Sequence, residues 1–114
     1  MAAKRVLKGG RGRALELRIK KRLEVLGWLV MRVPGSRGPV DLVAMWGEPG
    51  RERWARVAYI RAKSDGRIGP RERLALAAEA KKDGAEAFVV DGAYRVRDAT
   101  DWRGSNWQDL LDTF

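Results

Sequence analysis

Leu15, Ile19, Leu23 and Leu26 recur at spacings of four, four and three residues. That is one face of an α-helix, so the pattern predicts a helix from about Arg13 to Leu26. Gly27 follows as its C-terminal stop. The period then changes. Trp28–Val33 (WLVMRV), Val40–Trp46 (VDLVAMW) and Trp54–Ala62 (WARVAYIRA) are short apolar runs bounded by glycine and proline, and they predict three strands. Their short connections favour an antiparallel meander. In the third strand Val57, Tyr59, Arg61 and Lys63 fall on one face. A second helix is predicted from Arg71 to Asp83, with Leu74, Ala77, Ala78 and Lys81 on one side and Gly84 beyond it. Ala87–Val90 reads as a buried strand, and its helical connection favours parallel pairing with the third strand. Tyr94–Arg97 is a candidate edge strand and Trp107–Leu111 a short terminal helix. The order α-β-β-β-α-β predicts an α/β fold around a mixed sheet.

The chain has 114 residues, 45% of them hydrophobic, which suits one domain with a modest core. Lys8-Gly9-Gly10-Arg11-Gly12-Arg13 leads into the first helix, so residues 1–12 are expected to form a flexible basic arm and 13–114 the domain. Cysteine and histidine are both absent. This excludes disulfides, thiolate zinc sites and histidine-based triads. Metal chemistry would fall to carboxylates, carbonyls and water, a set suited to Mg2+ or Mn2+. No apolar run approaches the roughly 20 residues of a membrane span, and no apolar signal core follows Lys4, Arg5 and Lys8. A cytoplasmic protein is the expectation. Asn and Gln occur once each while Arg is abundant, a usage shared by thermophile proteins and GC-rich genomes.

Charge narrows the picture further. The net charge is +9 and unevenly spread. Residues 1–22 hold nine basic side chains against Glu16 alone, while residues 83–114 hold seven acidic against three basic. A basic front of this density points to a polyanion, with nucleic acid first. Two placements carry candidate chemistry. Asp41 stands at the start of an apolar strand beside a Pro/Gly loop, where burial is costly unless it is paired or binds a cation. Arg61 and Lys63 share a face at the end of the neighbouring strand. A lysine beside a carboxylate-bound metal can orient water and stabilise a pentacovalent phosphate.

Taken in order, these residues resemble the PD-(D/E)XK nuclease superfamily, and within it the archaeal- and phage-type Holliday junction resolvases. The likeness spans about residues 8–90. It runs from a glycine- and base-rich start through a helix bearing Glu16, then Gly27-Trp28, Arg32-Val33-Pro34-Gly35-Ser36, Asp41-Leu42-Val43-Ala44, Lys63-Ser64, Asp65-Gly66-Arg67-Ile68 and Arg71-Glu72. The resemblance implies a restriction-endonuclease-like core and metal-dependent hydrolysis of four-way DNA junctions by a C2 homodimer. Glu16 and Asp41 would hold Mg2+, with Mn2+ as a substitute. Lys63 would stabilise developing charge, and Ser36 and Arg37 would contact phosphate near the scissile bond. Lys4, Arg5, Lys8, Arg11 and Arg13, with Arg32 and Arg67, would track the DNA backbone without reading sequence. The tail offers Trp102, Trp107, Leu110, Leu111 and Phe114 either to a dimer interface or to the monomer core.

One position departs from the pattern. Two residues before the lysine, where the family has a metal-binding acid, this chain has Arg61. Arginine is no metal ligand, and at about 4–5 Å its charge opposes a divalent ion by several kcal/mol at an effective dielectric near 20. Three arrangements are open. Arg61 swings to a phosphate and leaves the metal to Glu16 and Asp41, Glu72 or Glu79 of the second helix replaces the acid, or the chain binds DNA without cutting it. A different nuclease on the same fold is a further alternative.

Overall fold

The computed structural model describes residues 2–33, 38–47, 50 and 52–100, with the backbone alone over 2–12. The described elements are α1 (Ala2–Val25), β1 (Leu29–Arg32), β2 (Leu42–Trp46), β3 (Arg56–Ala62), α2 (Pro70–Lys82), β4 (Glu86–Val90) and β5 (Val96–Asp98). The sheet order follows the chain, β1-β2-β3-β4-β5. β1–β2 and β2–β3 pair antiparallel, β3–β4 parallel, and β4–β5 antiparallel. The expected α/β order and mixed sheet are therefore present, with β5 as a fifth strand.

α1 covers one face of the sheet. Leu15, Ile19 and Leu23 are at most 1% exposed, and with Val30, Leu42, Ile60, Phe88 and Val90 they make the larger core. Sealing a leucine or isoleucine this fully contributes about 1.5–3 kcal/mol. Gly27, at φ 97, ends α1 where side-chain residues are strained. Its N–H donates to the Glu24 carbonyl and the Trp28 N–H to the Leu23 carbonyl, which turns the chain into β1. α1 begins at Ala2 rather than near Arg13, so the backbone of residues 2–12 is helical. The apolar period starts at Leu15 and carries no signal for the earlier turns.

α2 covers the other face, over β3 and β4, with Leu76 and Ala80 buried. This corrects the predicted face, since Leu74 is 62% exposed and Ala78 and Lys81 point outward. So many alanines leave the period weak, and the sheet takes the Leu76–Ala80 pair instead. β5 also begins at Val96 rather than Tyr94, because residues 91–95 form a tight turn held by Asp91. The terminal helix expected over 107–111 lies outside the described residues. Among the described residues no helix is long and apolar enough to cross a membrane.

Candidate functional site

The strand register brings the chemistry-bearing residues to one end of the sheet. Arg32 lies opposite Leu42, Leu42 opposite Ile60, and Arg61 opposite Val89. Asp41 sits just before β2 with its backbone tied on both sides. Its N–H donates to the Ile60 carbonyl at 2.9 Å and its carbonyl accepts the Val33 N–H at 2.9 Å. Its carboxylate is turned inward, with the residue 6% exposed. Asp41 Oδ2 accepts the backbone N–H of Ala62 at 2.8 Å. The buried strand aspartate is thus a paired one, as the cost of desolvating a carboxylate requires.

Its charged partner is Arg61. Nη1 lies 3.3 Å from Asp41 Oδ1 and donates to the Gly38 carbonyl at 3.1 Å, while Nη2 reaches Glu72 Oε2 at 3.4 Å. The guanidinium therefore bridges two carboxylates from different elements. Arg61 Nε is buried with no hydrogen-bond partner among the described residues, a cost of about 1–3 kcal/mol. Lys63 Nζ joins the same Glu72 oxygen at 2.8 Å. The lysine contact, ahead of the Coulombic pull of Lys63 and Arg61, holds the Glu72 carboxyl below its ordinary value against a smaller opposing effect of desolvation. Two cations and two carboxylates leave this cluster with no net charge.

Glu16 lies in a separate pair. Arg32 grips Glu16 Oε2 through Nε at 3.1 Å and Nη2 at 3.0 Å. The structure therefore joins Asp41, Arg61 and Lys63 in one cluster and Glu16 with Arg32 in another. Glu72 enters the first cluster, while Glu79 pairs with Lys82 at 2.9 Å. Arg13 is exposed on α1 and Arg67 is exposed in the β3–α2 loop, where Asp65 Oδ1 accepts its backbone N–H. Ser36 and Arg37 lie outside the described residues, as do the side chains of Lys4, Arg5, Lys8 and Arg11. Beside the cluster an open hollow of about 480 Å³ is lined by Gly38, Arg61, Arg71 and Glu72 at the start of α2.

A divalent cation needs several oxygen donors and a net negative setting. Among the described residues no group of three or more acidic side chains could hold a metal. Asp41 and Glu72 are engaged by Arg61 and Lys63, and Glu16 by Arg32. These residues, as arranged, do not fit a divalent ion.

Comparison with known proteins is decided by shape. No family model and no curated protein matches the chain. A solved structure does: Hjc of Archaeoglobus fulgidus, a Holliday junction resolvase from an archaeal hyperthermophile. It superposes with a TM-score of 0.60 at 26% identity, over 78% of this chain and 73% of that one. The chain has the fold of an archaeal Holliday junction resolvase. The resemblance read from the motifs is thus matched in three dimensions, and the resolvase-like sheet is what sets Asp41, Arg61 and Lys63 side by side.

Sequence reasoning named Glu72 as one substitute acid, and the structure puts it in the cluster. The Glu16–Arg32 pair was not legible. The family likeness gives Glu16 to a metal and Arg32 to DNA, and a contact 16 positions apart between a helix and a strand leaves no periodic trace.

Proposed function

We propose that this protein recognises branched DNA, four-way junctions above all, and holds it without cutting it through a metal at Asp41. The resolvase fold and the basic N-terminal segment support the substrate. One observation carries the absence of cutting: the Arg61 guanidinium bridges Asp41 and Glu72. In this reading phosphate contacts supply affinity and the shape of the junction supplies selectivity. The protein acts as a homodimer, because a four-way junction presents equivalent strands related by a two-fold axis.

A second reading is metal-dependent resolution of the junction, using Mg2+ or Mn2+. One feature favours it. The contacts of Arg61 to Asp41 and Glu72 are long, at 3.3 and 3.4 Å, and its Nε has no partner among the described residues. An arginine held this loosely could be drawn onto a phosphate.

An immobile four-way junction separates the two. The unmodified chain, Arg61→Glu and Asp41→Asn are each assayed with Mg2+, Mn2+ or EDTA. The expected result is junction binding in EDTA, preferred over a linear duplex of equal length, and intact strands at every metal concentration. Paired metal-dependent nicks by the unmodified chain, lost in Asp41→Asn, would establish the second reading instead. Cleavage appearing only in Arg61→Glu would identify the arginine as the element that disables the site.

A further inference from the structure

Two Gly-Pro pairs meet at one hollow beside the candidate site. Gly38-Pro39 lies just before β2 and Gly69-Pro70 opens α2, and all four residues line the open space of about 480 Å³. That volume falls within the roughly 300–1,000 Å³ of small-molecule sites. Proline fixes the backbone of each wall, and glycine leaves the wall bare. A Cβ at Gly38 or at Gly69 would meet nothing within 4 Å. Gly69 has φ −67 and ψ 153, an extended conformation that any residue adopts. Neither the backbone at Gly69 nor its packing calls for glycine, and the room beside it is open.

Two arginines line this hollow from different elements. Arg61 comes from β3 and is fixed in place by the Gly38 carbonyl at 3.1 Å and by Asp41 and Glu72. Arg71 comes from the first turn of α2. It is exposed and makes no hydrogen bond or ion pair among the described residues. Glu72 lines the hollow as well, but its Oε2 is held by Lys63 at 2.8 Å and by Arg61 at 3.4 Å. Arg71 turns a neutral cluster into a positive one, since Arg61, Lys63 and Arg71 outnumber Asp41 and Glu72 by one charge. A guanidinium whose N–H fork is free grips phosphate through paired donors. Arg61 and Glu72 belong both to the hollow and to the charged cluster, so the two lie on the same layer of the sheet.

We propose that this hollow seats one phosphodiester of bound DNA, gripped by Arg71 against the fixed positive wall of Arg61. The bare Gly-Pro walls let the sugar-phosphate chain approach the protein backbone, where a side chain would stand in its way. This inference rests on the branched-DNA reading and gives it a phosphate contact at the cluster itself. Arg71 is not among the cations that the family likeness marks for DNA.

The test is the salt dependence of binding to a fluorescent four-way junction, measured by anisotropy on the full chain in EDTA. Arg71→Ala is expected to lower the slope of log affinity against log salt by about one for each chain bound, and to weaken binding several-fold near physiological salt. Its Tm should stay that of the unmodified chain, because Arg71 has no partner to lose among the described residues. Lys81→Ala removes the same charge from the far end of α2, at an exposed position, and is expected to leave the slope as it was. Gly69→Asp places a carboxylate in the hollow at a helix N-cap that has no side-chain cap. It is expected to keep or raise the Tm, since aspartate is a preferred cap, while weakening binding at least as much as Arg71→Ala. A purely structural hollow would not give that combination. An unchanged slope in Arg71→Ala, or an equal fall in Lys81→Ala, with the unmodified chain binding normally, would overturn the phosphate seat and leave the branched-DNA reading standing. No junction binding by the unmodified chain would overturn both.

Discussion

At Arg61 a single side chain separates the two proposed readings. Its guanidinium neutralises Asp41, whose side chain is 7% exposed, and also reaches Glu72. Removing one partner of a buried pair leaves the other charge uncompensated. Removing Arg61 also relieves its Nε, unpaired among the described residues, so Arg61→Ala should destabilise the fold by about 1–2 kcal/mol at neutral pH, read as a shift in the urea midpoint. Arg61→Ala with Asp41→Asn should recover much of that loss, because no buried charge is then left over. A destabilisation well below 1 kcal/mol in the single variant would mean that Asp41 is served by the Ala62 N–H alone. Glu72 adds a pH signature. Lys63, with Arg61, lowers its folded-state pKa beneath the ordinary 4.5. A depressed carboxyl stabilises the fold above its unfolded value and loses that contribution as pH falls through the folded value. The stability gap between the unmodified chain and Glu72→Gln should accordingly be full above about pH 5 and close on acidification. Glu72 is half exposed, so the gap is small and should shrink further in salt.

Elements in this fold are set by different signals, and some of those signals are local. The Leu15–Ile19–Leu23 face and the three apolar runs were readable because each buries a periodic stripe against the sheet. The buried face of α2 was not, because its alanines present nearly the same surface on every side. Tyr94 carries β propensity, yet the Asp91 carboxylate overrides it by drawing the local N–H groups into a turn. In the candidate site, the nearness of Asp41, Arg61 and Lys63 followed from strand order. The Glu16–Arg32 and Arg61–Glu72 pairs did not follow, since they depend on how α1 and α2 cross the sheet. The 91–95 turn can be tested as an element. Gly92→Ala places a methyl carbon 2.9 Å from the Ser64 carbonyl oxygen, which is backbone and cannot step aside cheaply. A loss of about 1–3 kcal/mol is expected, lowering the Tm by several degrees in calorimetry. An unchanged Tm would show that the β3 end and this turn shift apart freely.

Across the whole molecule, stability and charge occupy different parts of the chain. The larger core begins at Leu15, and the described packing of α1 rests on Leu15, Ile19 and Leu23. Lys4, Arg5, Lys8 and Arg11 all precede it, so a large share of the net +9 lies before the first core residue. A chain starting at Gly12 should therefore keep the fold, with a Tm within a few degrees of the unmodified chain. It should nevertheless lose much of its hold on DNA. Each phosphate contact removed lowers the salt slope by about 0.9, so loss of all four cations should lower it by about three to four. On the proposed branched-DNA reading the truncated chain should still prefer a four-way junction over a linear duplex at low salt, because backbone contacts add affinity to both, whereas that reading assigns shape selection to the folded domain. Equal loss of affinity and of preference would instead place junction recognition in residues 1–11. An unchanged slope would assign the phosphate path to the folded domain.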